Sequence, residues 1–255
     1  MLLEQKTIVV TGGNTGIGEA ISRRAAAEGA NLVVGYVEAS DAARVLVRQI
    51  TGSGGNAMAV RADVRSVSDI QKLVDAAVDS FGSLDVMINN AGIQTLSDLL
   101  QTTESEFDRT IEVNLRGAFF GTQLAARQFI AQKSPGVVIN ISSVHEEWPM
   151  PGNVAYCVAK GGIRMLARTA GVELGAHGIR VVNVAPGAVA TRLTAGLADD
   201  AEARESVESS IPLGRIATPD DIADVVVFVA SDAARYLTAT TVFADGGMMQ
   251  GGSAR

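Results

Sequence analysis

Short apolar runs recur along the chain at consecutive rather than alternating positions. They are TIVV at 7–10, NLVVGY at 31–36, AMAV at 57–60, LDVMIN at 84–89, GVVINIS at 136–142, IRVVNVA at 179–185 and TTVFA at 240–244. A strand with one wet face alternates apolar and polar side chains. A strand apolar throughout is buried on both faces, the pattern of a parallel sheet covered by helices on each side. The segments between the runs, 17–29, 40–50, 66–81, 104–132, 153–176 and 219–231, are long enough for helices and rich in Ala, Leu, Arg and Glu. Pro219 followed by Asp220 and Asp221 marks a helix start, because proline tolerates the first turn and carboxylates favour the positive end of the helix dipole. Strand and helix thus alternate from end to end. The pattern predicts an α/β fold, a single doubly wound Rossmann-type domain over 1–255 with a seven-stranded parallel sheet, whose ligands bind outside the carboxyl ends of the strands. No composition shift or internal repeat divides it. The least regular stretch, 188–215, is expected to be a substrate lid; its plain alternative is a surface helical excursion.

Composition narrows the partners. With 47% hydrophobic residues over 255 positions the chain can bury a substantial core. Twenty-eight acidic against 21 basic residues, a net charge of −7, leave no broad basic field for nucleic acid or an anionic membrane. Cys157 is the single cysteine, which excludes an internal disulfide and thiolate metal sites and fits a reducing cytoplasm. The start, MLLEQKTIVV, lacks a basic leader with an apolar segment, and no window approaches the roughly 20 apolar residues of a membrane span, so a cytoplasmic, unexported protein is expected. Asn140-Ile141-Ser142 spells a glycosylation sequon inside an apolar strand run, where it reads as chance.

The first strand leads into TGGNTGIGEAISRR, with Gly12, Gly13, Gly16 and Gly18 ahead of a helix starting near Ile17. Glycines let backbone N–H groups approach a pyrophosphate at a helix N-terminus, although such a turn can also be simply a tight connection. At the end of the second strand, Tyr36 and Val37 occupy the ribose-binding positions, Glu38 follows, and no basic residue appears before Arg44. An acidic group there accepts from a 2′-hydroxyl and an arginine would hold a 2′-phosphate, so the sequence leans towards NAD over NADP. Asp63 follows the third strand. The fourth ends in Asn89-Asn90-Ala91-Gly92, whose small residues and amides admit a flat ring and ribose, or merely form a turn.

Tyr156 and Lys160 are four apart in a segment rich in helix formers, hence on one helix face, and Ser143 lies just past the fifth strand. Tyrosine, with a pKa of about 10, is a poor base at neutral pH. A nearby ammonium and an oxidised nicotinamide are expected to lower that pKa and let the phenolate take a hydroxyl proton as hydride leaves carbon. Other chemistry in this stretch fails on spacing. His145-Glu146 is not H-E-x-x-H, since Pro149 holds the second histidine position, and Ser143 has no G-x-S-x-G context, so neither metal nor hydrolase chemistry is expected. Glu146 and Glu147 read most simply as solvated loop charges, the alternative being that one of them touches substrate.

TGGNTGIG, NNAG, VNLRG, the Ser143–Tyr156–Lys160 spacing and APG at 185–187 together resemble the short-chain dehydrogenase/reductase family along nearly the whole chain. The resemblance implies Tyr156 as acid/base, Lys160 as ribose anchor and modifier of the tyrosine, Ser143 as donor to the substrate oxygen, and Asn114 as holder of a relay water. It implies NAD or NADP held by Gly12, Asn14, Thr15, Gly16, Ile17, Gly18, Tyr36, Asp63, Val64, Asn90, Ala91, Gly92, Tyr156, Lys160, Pro186, Gly187, Val189 and Thr191. Within the family, SSVHE and its following prolines, IPLGRIATPDDIADVVVFVASD and FADGGM are similar to the bacterial glucose 1-dehydrogenase branch. That likeness implies oxidation of an aldose at C1, with His145, Gln94, Ser143 and Tyr156 facing the sugar. Gln94, Ala190, Trp148, Met150 and Val37 depart from that branch, and losing a carboxylate and an amide removes sugar contacts. Three readings follow: an aldose dehydrogenase, a relative acting on a non-sugar alcohol or ketone such as a 3-oxoacyl or cyclic substrate, and a nucleotide-binding regulator without turnover. The resemblance also implies a homotetramer built across the Tyr156 helix and the end carrying Met248 and Met249; a frayed tail is the plain alternative.

Overall fold

The computed structural model describes residues 1–191 and 201–251. Among these, seven strands form one parallel sheet: β1 (Thr7–Val10), β2 (Asn31–Tyr36), β3 (Asn56–Arg61), β4 (Val86–Asn89), β5 (Gly136–Ile141), β6 (Ile179–Pro186) and β7 (Thr240–Ala244). Their spatial order, β3-β2-β1-β4-β5-β6-β7, reverses direction at β1, which therefore pairs with both β2 and β4. The connecting helices are α1 (Gly16–Ala27), α2 (Ser40–Gly52), α3 (Val67–Phe81), α4 (Glu104–Ile111), α5 (Gly117–Ala131), α6 (Val154–Leu174), α7 (Ala201–Ser210), α8 (Pro219–Ala230) and α9 (Met248–Gly251).

The consecutive apolar runs build two cores, one on each face. Ile8, Val10, Leu32, Val34, Ile88 and Ile139 point to the side covered by α1, α2 and α8. Their chain neighbours Val9, Val33, Met87 and Val138 point to the side covered by α3, α5 and α6. Because strand side chains alternate between faces, a sheet covered on both sides requires every residue of its central strands to be apolar, which β1 and β5 nearly satisfy. Two capping boxes fix helix starts, Thr103 with Glu106 on α4 and Thr218 with Asp221 on α8, where Pro219 occupies the first turn.

One sequence expectation is corrected. The helix predicted over 104–132 is interrupted by a π turn at Glu112–Arg116, which carries Asn114. A single wide turn leaves the apolar spacing on either side nearly intact, so periodicity does not reveal it. Within the stretch 188–215, expected as a lid or a helical excursion, lies the ten-residue helix α7; 192–200 of it lies outside the described residues. No helix among the described residues is long and apolar enough to cross a membrane.

Candidate active site

The reversal of strand order at β1 opens a crevice between the carboxyl ends of β1 and β4. The glycine turn follows β1 and the Asn89–Gly92 turn follows β4, so the two meet there. Asn90 joins them: its Nδ2 donates to the carbonyls of Thr11 at 2.9 Å and Gly12 at 3.0 Å. The amides of Asn90 and Ala91 donate in turn to Thr11 Oγ1, both at 3.0 Å. Asn14 ties the turn to the end of β2, its Nδ2 reaching the carbonyls of Glu38 and Ala39 at 3.0 and 3.2 Å. Gly12 and Gly16 have φ of +59° and +55°, and a Cβ at Gly18 would lie 2.1 Å from the Gly12 carbonyl oxygen. Only glycine fits at position 18, and the helix start it allows, with Thr15 and Ile17, presents free N–H groups to an anion. These residues fit the diphosphate of a dinucleotide. Thr191 stands over the turn, 3.7 Å from where a Cβ on Gly16 would be.

The rest of the rim is built by neighbouring loops. Tyr36 ends β2, half-buried, and Glu38 is exposed beyond it. Asp63 is held by Arg65 through hydrogen bonds of 2.6 to 3.1 Å, which keep its carboxyl below the usual range. Val64 is buried against the backbone of Gly117. Across the crevice Pro186 ends β6, Gly187 packs on Asp245, and Val189 bridges Ala217.

Ser143, Tyr156 and Lys160 converge beyond the ends of β5 and β6. Ser143 caps a short turn at Val144–Glu146, its Oγ accepting from the amide of His145 at 3.2 Å. Lys160, one helical turn beyond Tyr156 on α6, is buried and donates from Nζ to the Ile141 carbonyl at 2.8 Å, with its ammonium 5.4 Å from the centre of the Tyr156 ring. Burial pushes the Tyr156 phenol up to about 12, partly offset by a hydrogen bond with Ser143. Burial pushes the Lys160 ammonium down to about 8, partly offset by attraction to Glu146. The polypeptide therefore holds the phenol protonated. The expected lowering of the Tyr156 pKa joins Lys160 to an oxidised nicotinamide; in the polypeptide alone the ammonium lies by the ring and a main-chain carbonyl.

Asn114 fastens the opposite wall. Its Nδ2 donates to the carbonyls of Ile93 at 2.9 Å and Thr110 at 3.0 Å, and its Oδ1 accepts from the Ile93 amide at 3.1 Å. Both amide hydrogens are engaged, so a water held by this side chain must meet the second lone pair of Oδ1.

The loop between β5 and α6 departs most from the sequence reading. Glu146 is not a solvated charge: its side chain has no exposed surface and accepts hydrogen bonds from Ser142 and Thr241, both at 2.6 Å, and from Asn183 at 3.2 Å. The neutral donors that surround it come from three separate segments, which a local reading of the sequence cannot bring together. Glu147 is exposed but ion-paired with Arg164 at 2.5 Å. Behind Glu146 runs a buried amide ladder unforeseen in the sequence, from Asn89 to Asn140 at 2.9 Å and from Asn140 to Asn183 at 3.0 Å. These residues are register partners on β4, β5 and β6; an asparagine near the end of each of three successive strands was its available signal.

His145 is half-buried, with its ring centre 6.4 Å from that of Tyr156. Its Nδ1 lies 3.2 Å from the Trp148 carbonyl, which can only accept, so Nδ1 carries the hydrogen. Burial pushes the imidazole down, which leaves it neutral at pH 7 with Nε2 as a bare acceptor. Gln94 Nε2 lies 3.6 Å from the Met150 sulfur.

A dinucleotide cradle beside a serine, a tyrosine and a lysine on one helix start defines a nicotinamide-dependent oxidoreductase of the doubly wound class. Residues 12–249 match the family model described as enoyl-(acyl carrier protein) reductase. The chain is 45% identical over 246 residues to 3beta-hydroxysteroid dehydrogenase 1 of Eggerthella lenta, covering 96% of this chain and 94% of that protein. It is 40% identical to L-rhamnose 1-dehydrogenase (NAD(P)(+)) of Azotobacter vinelandii, covering 97% and 98%. The 3-oxoacyl-acyl-carrier-protein reductase of Staphylococcus aureus is 38% identical, covering 95% and 98%. A short-chain type dehydrogenase/reductase from Mycobacterium marinum superposes with a TM-score of 0.91 at 32% identity, over 97% of both chains. This chain belongs to the short-chain dehydrogenase/reductase family and is an oxidoreductase of alcohol or carbonyl substrates that uses NAD(P). The relatives' names span a steroid, a sugar and an acyl carrier thioester, so the likeness holds for the family and does not single out glucose.

Proposed function

We propose that this protein interconverts a cyclic secondary alcohol of largely apolar body and its ketone. The meeting of Ser143, Tyr156 and Lys160 beside the glycine turn carries the reaction. A bound nicotinamide supplies or accepts the hydride. In the oxidising direction Tyr156 takes the hydroxyl proton, Ser143 donates to the substrate oxygen, and Lys160 anchors the cofactor ribose and stabilises the charge on Tyr156. The glycine-turn residues and the Asn90–Gly92 turn hold the cofactor, and Asn114 holds their wall in place.

The apolar body is inferred from what the polar groups already do. Glu146 is enclosed by Ser142, Asn183 and Thr241, Glu147 pairs with Arg164, and Gln94 contacts Met150. Among the described residues, His145 Nε2 stands beside Ser143 and Tyr156 as a polar group able to meet the substrate, while Met150 and Trp148 add apolar surface. A polyol recognised by so few partners would leave its hydroxyls unpaired at a cost of about 1–3 kcal/mol each. The name of the 45% identical relative, a hydroxysteroid dehydrogenase, agrees with this reading. An aldose 1-dehydrogenase is the second reading, supported by the Ser143–Glu146 sequence and by the rhamnose dehydrogenase at 40% identity. Reduction of cofactor by a panel of hydroxysteroids, cyclohexanols and aldoses separates the two; turnover confined to aldoses contradicts the first.

NAD is the preferred cofactor in this reading, since exposed Val37 and Glu38 offer no cation to a 2′-phosphate. A higher kcat/KM with NADP would contradict that. The protein acts as a homotetramer in the cytoplasm. Val158, Met165 and Val172, seven residues apart on α6, are exposed apolar groups suited to a second copy. A monomer in light scattering would contradict the assembly.

A further inference from the structure

The Glu146 carboxylate has no surface exposure and is hydrogen-bonded by Ser142, Thr241 and Asn183, all neutral donors. Hydrogen bonds from neutral donors stabilise a carboxylate without cancelling its charge, and a cation nearby offsets the rest of the cost of burial. Two cations of α6 lie in its neighbourhood. Arg164 has Nη2 on Glu147 at 2.5 Å and brings its Nε to 4.0 Å from Glu146, where that nitrogen has no hydrogen-bond partner. Lys160 lies one turn earlier on the same helix, buried, with Nζ on the carbonyl of Ile141, the residue before the Ser142 that donates to Glu146, and the attraction of Glu146 raises its pKa. Glu146 is also tied to the turn that carries Ser143: its amide donates to the Ser143 carbonyl at 3.0 Å and its side chain accepts from Ser142. The amide ladder of Asn89, Asn140 and Asn183 carries this anchoring across β4, β5 and β6.

We propose that Glu146 is the positioning residue of the reaction centre: its buried carboxylate is the counter-charge of Lys160 and the clamp that fixes the Ser143 turn to α6. It acts on the reaction through those two residues and touches neither substrate nor cofactor. The proposal rests on the assignment of Lys160 and Ser143 to the reaction, and its physical core can be tested without turnover. The charged group whose attraction acts on Lys160 is Glu146 on the β5–α6 loop; the Ile141 carbonyl on β5 and the Tyr156 ring on its own helix are its neutral contacts, and Arg164 on that helix is the second cation beside Glu146.

The chain has four lysines, Lys6, Lys72, Lys133 and Lys160, so a side-chain NMR titration of Lys160 in the cofactor-free protein is readable. In Glu146→Gln, Lys160 is expected to lose its proton at least about one pH unit below wild type, while the other three lysines do not move. In Arg164→Met, which removes a competing cation, Lys160 is expected to shift upward. This second variant decides the matter if Glu146→Gln does not fold. Lys160 titrating at the wild-type pH in a folded Glu146→Gln, or failing to rise in Arg164→Met, overturns the proposal. Where a substrate is in hand, the alkaline limb of kcat/KM in Glu146→Gln moves down with Lys160, whereas Glu147→Gln keeps the wild-type profile. A uniform loss at every pH would mean a merely structural role. Absence of turnover in wild type would count against the proposed reaction while leaving the titration result standing.

Discussion

Replacing Asn140 by alanine tests the buried amide ladder on which the reaction centre rests. Asn140 is fully buried, accepts from Asn89 at 2.9 Å and donates to Asn183 at 3.0 Å. After Asn140→Ala, Asn183 Oδ1 loses its donor, while Asn89 Nδ2 keeps the Ala118 carbonyl and Thr122 Oγ1, both at 3.3 Å. One orphaned buried acceptor costs about 1–3 kcal/mol, and the weakened second bond and small cavity add about 1 kcal/mol. The expected loss is therefore about 2–4 kcal/mol, or roughly 5–12 °C in Tm for a chain of this size. The fold supplies its own control: Asn56 donates to Asn31 at 2.9 Å on the exposed β2–β3 edge, the same chemistry in water. Asn56→Ala should cost less than about 0.5 kcal/mol. Urea and thermal unfolding followed by circular dichroism, at one protein concentration, measures both. Losses equal within about 0.5 kcal/mol would refute the argument that burial gives the ladder its weight.

A Cβ at Gly18 would lie 2.1 Å from the backbone oxygen of Gly12, which cannot yield as a side chain would. Gly18→Ala should weaken NADH binding by roughly tenfold or more in a fluorescence titration, and unchanged binding would remove the turn from the cofactor site. Thr218→Ala removes the side chain that accepts from the Asp221 amide and should lower stability by about 1 kcal/mol in urea, without altering cofactor affinity. Burial takes Lys160 from 10.5 to about 8, so between those values the unfolded chain binds more protons and this group raises stability as pH rises. In Lys160→Met that contribution vanishes, and its stability relative to wild type should fall by roughly 3 kcal/mol from about pH 7 to about pH 10; a constant difference would contradict it.

The sheet was legible because β1, β2, β5 and β6 sit where burial on both faces forces consecutive apolar residues, and helix ends at Thr103 and Thr218 carry local capping signals. Ser143, Tyr156 and Lys160 were legible from spacing, since one of them follows a strand and the other two share a helix face. What stayed hidden depends on distant segments meeting. Glu146 reads as a loop charge until Thr241 and Asn183 are brought beside it. The π turn around Asn114 left no mark because it shifts hydrogen bonds without disturbing the apolar pattern. The burial that raises the Tyr156 pKa was also hidden, since it depends on the packing around the ring.

The central claim is that the Tyr156 hydroxyl carries the proton of the reaction. Tyr156→Phe removes that oxygen alone and leaves the glycine turn, Lys160 and Ser143 in place. Turnover of the best alcohol from the substrate panel should fall by about 10²–10⁴-fold, with NADH affinity within about threefold of wild type. A Tyr156→Phe enzyme that binds cofactor and turns over within about threefold of wild type would contradict the account.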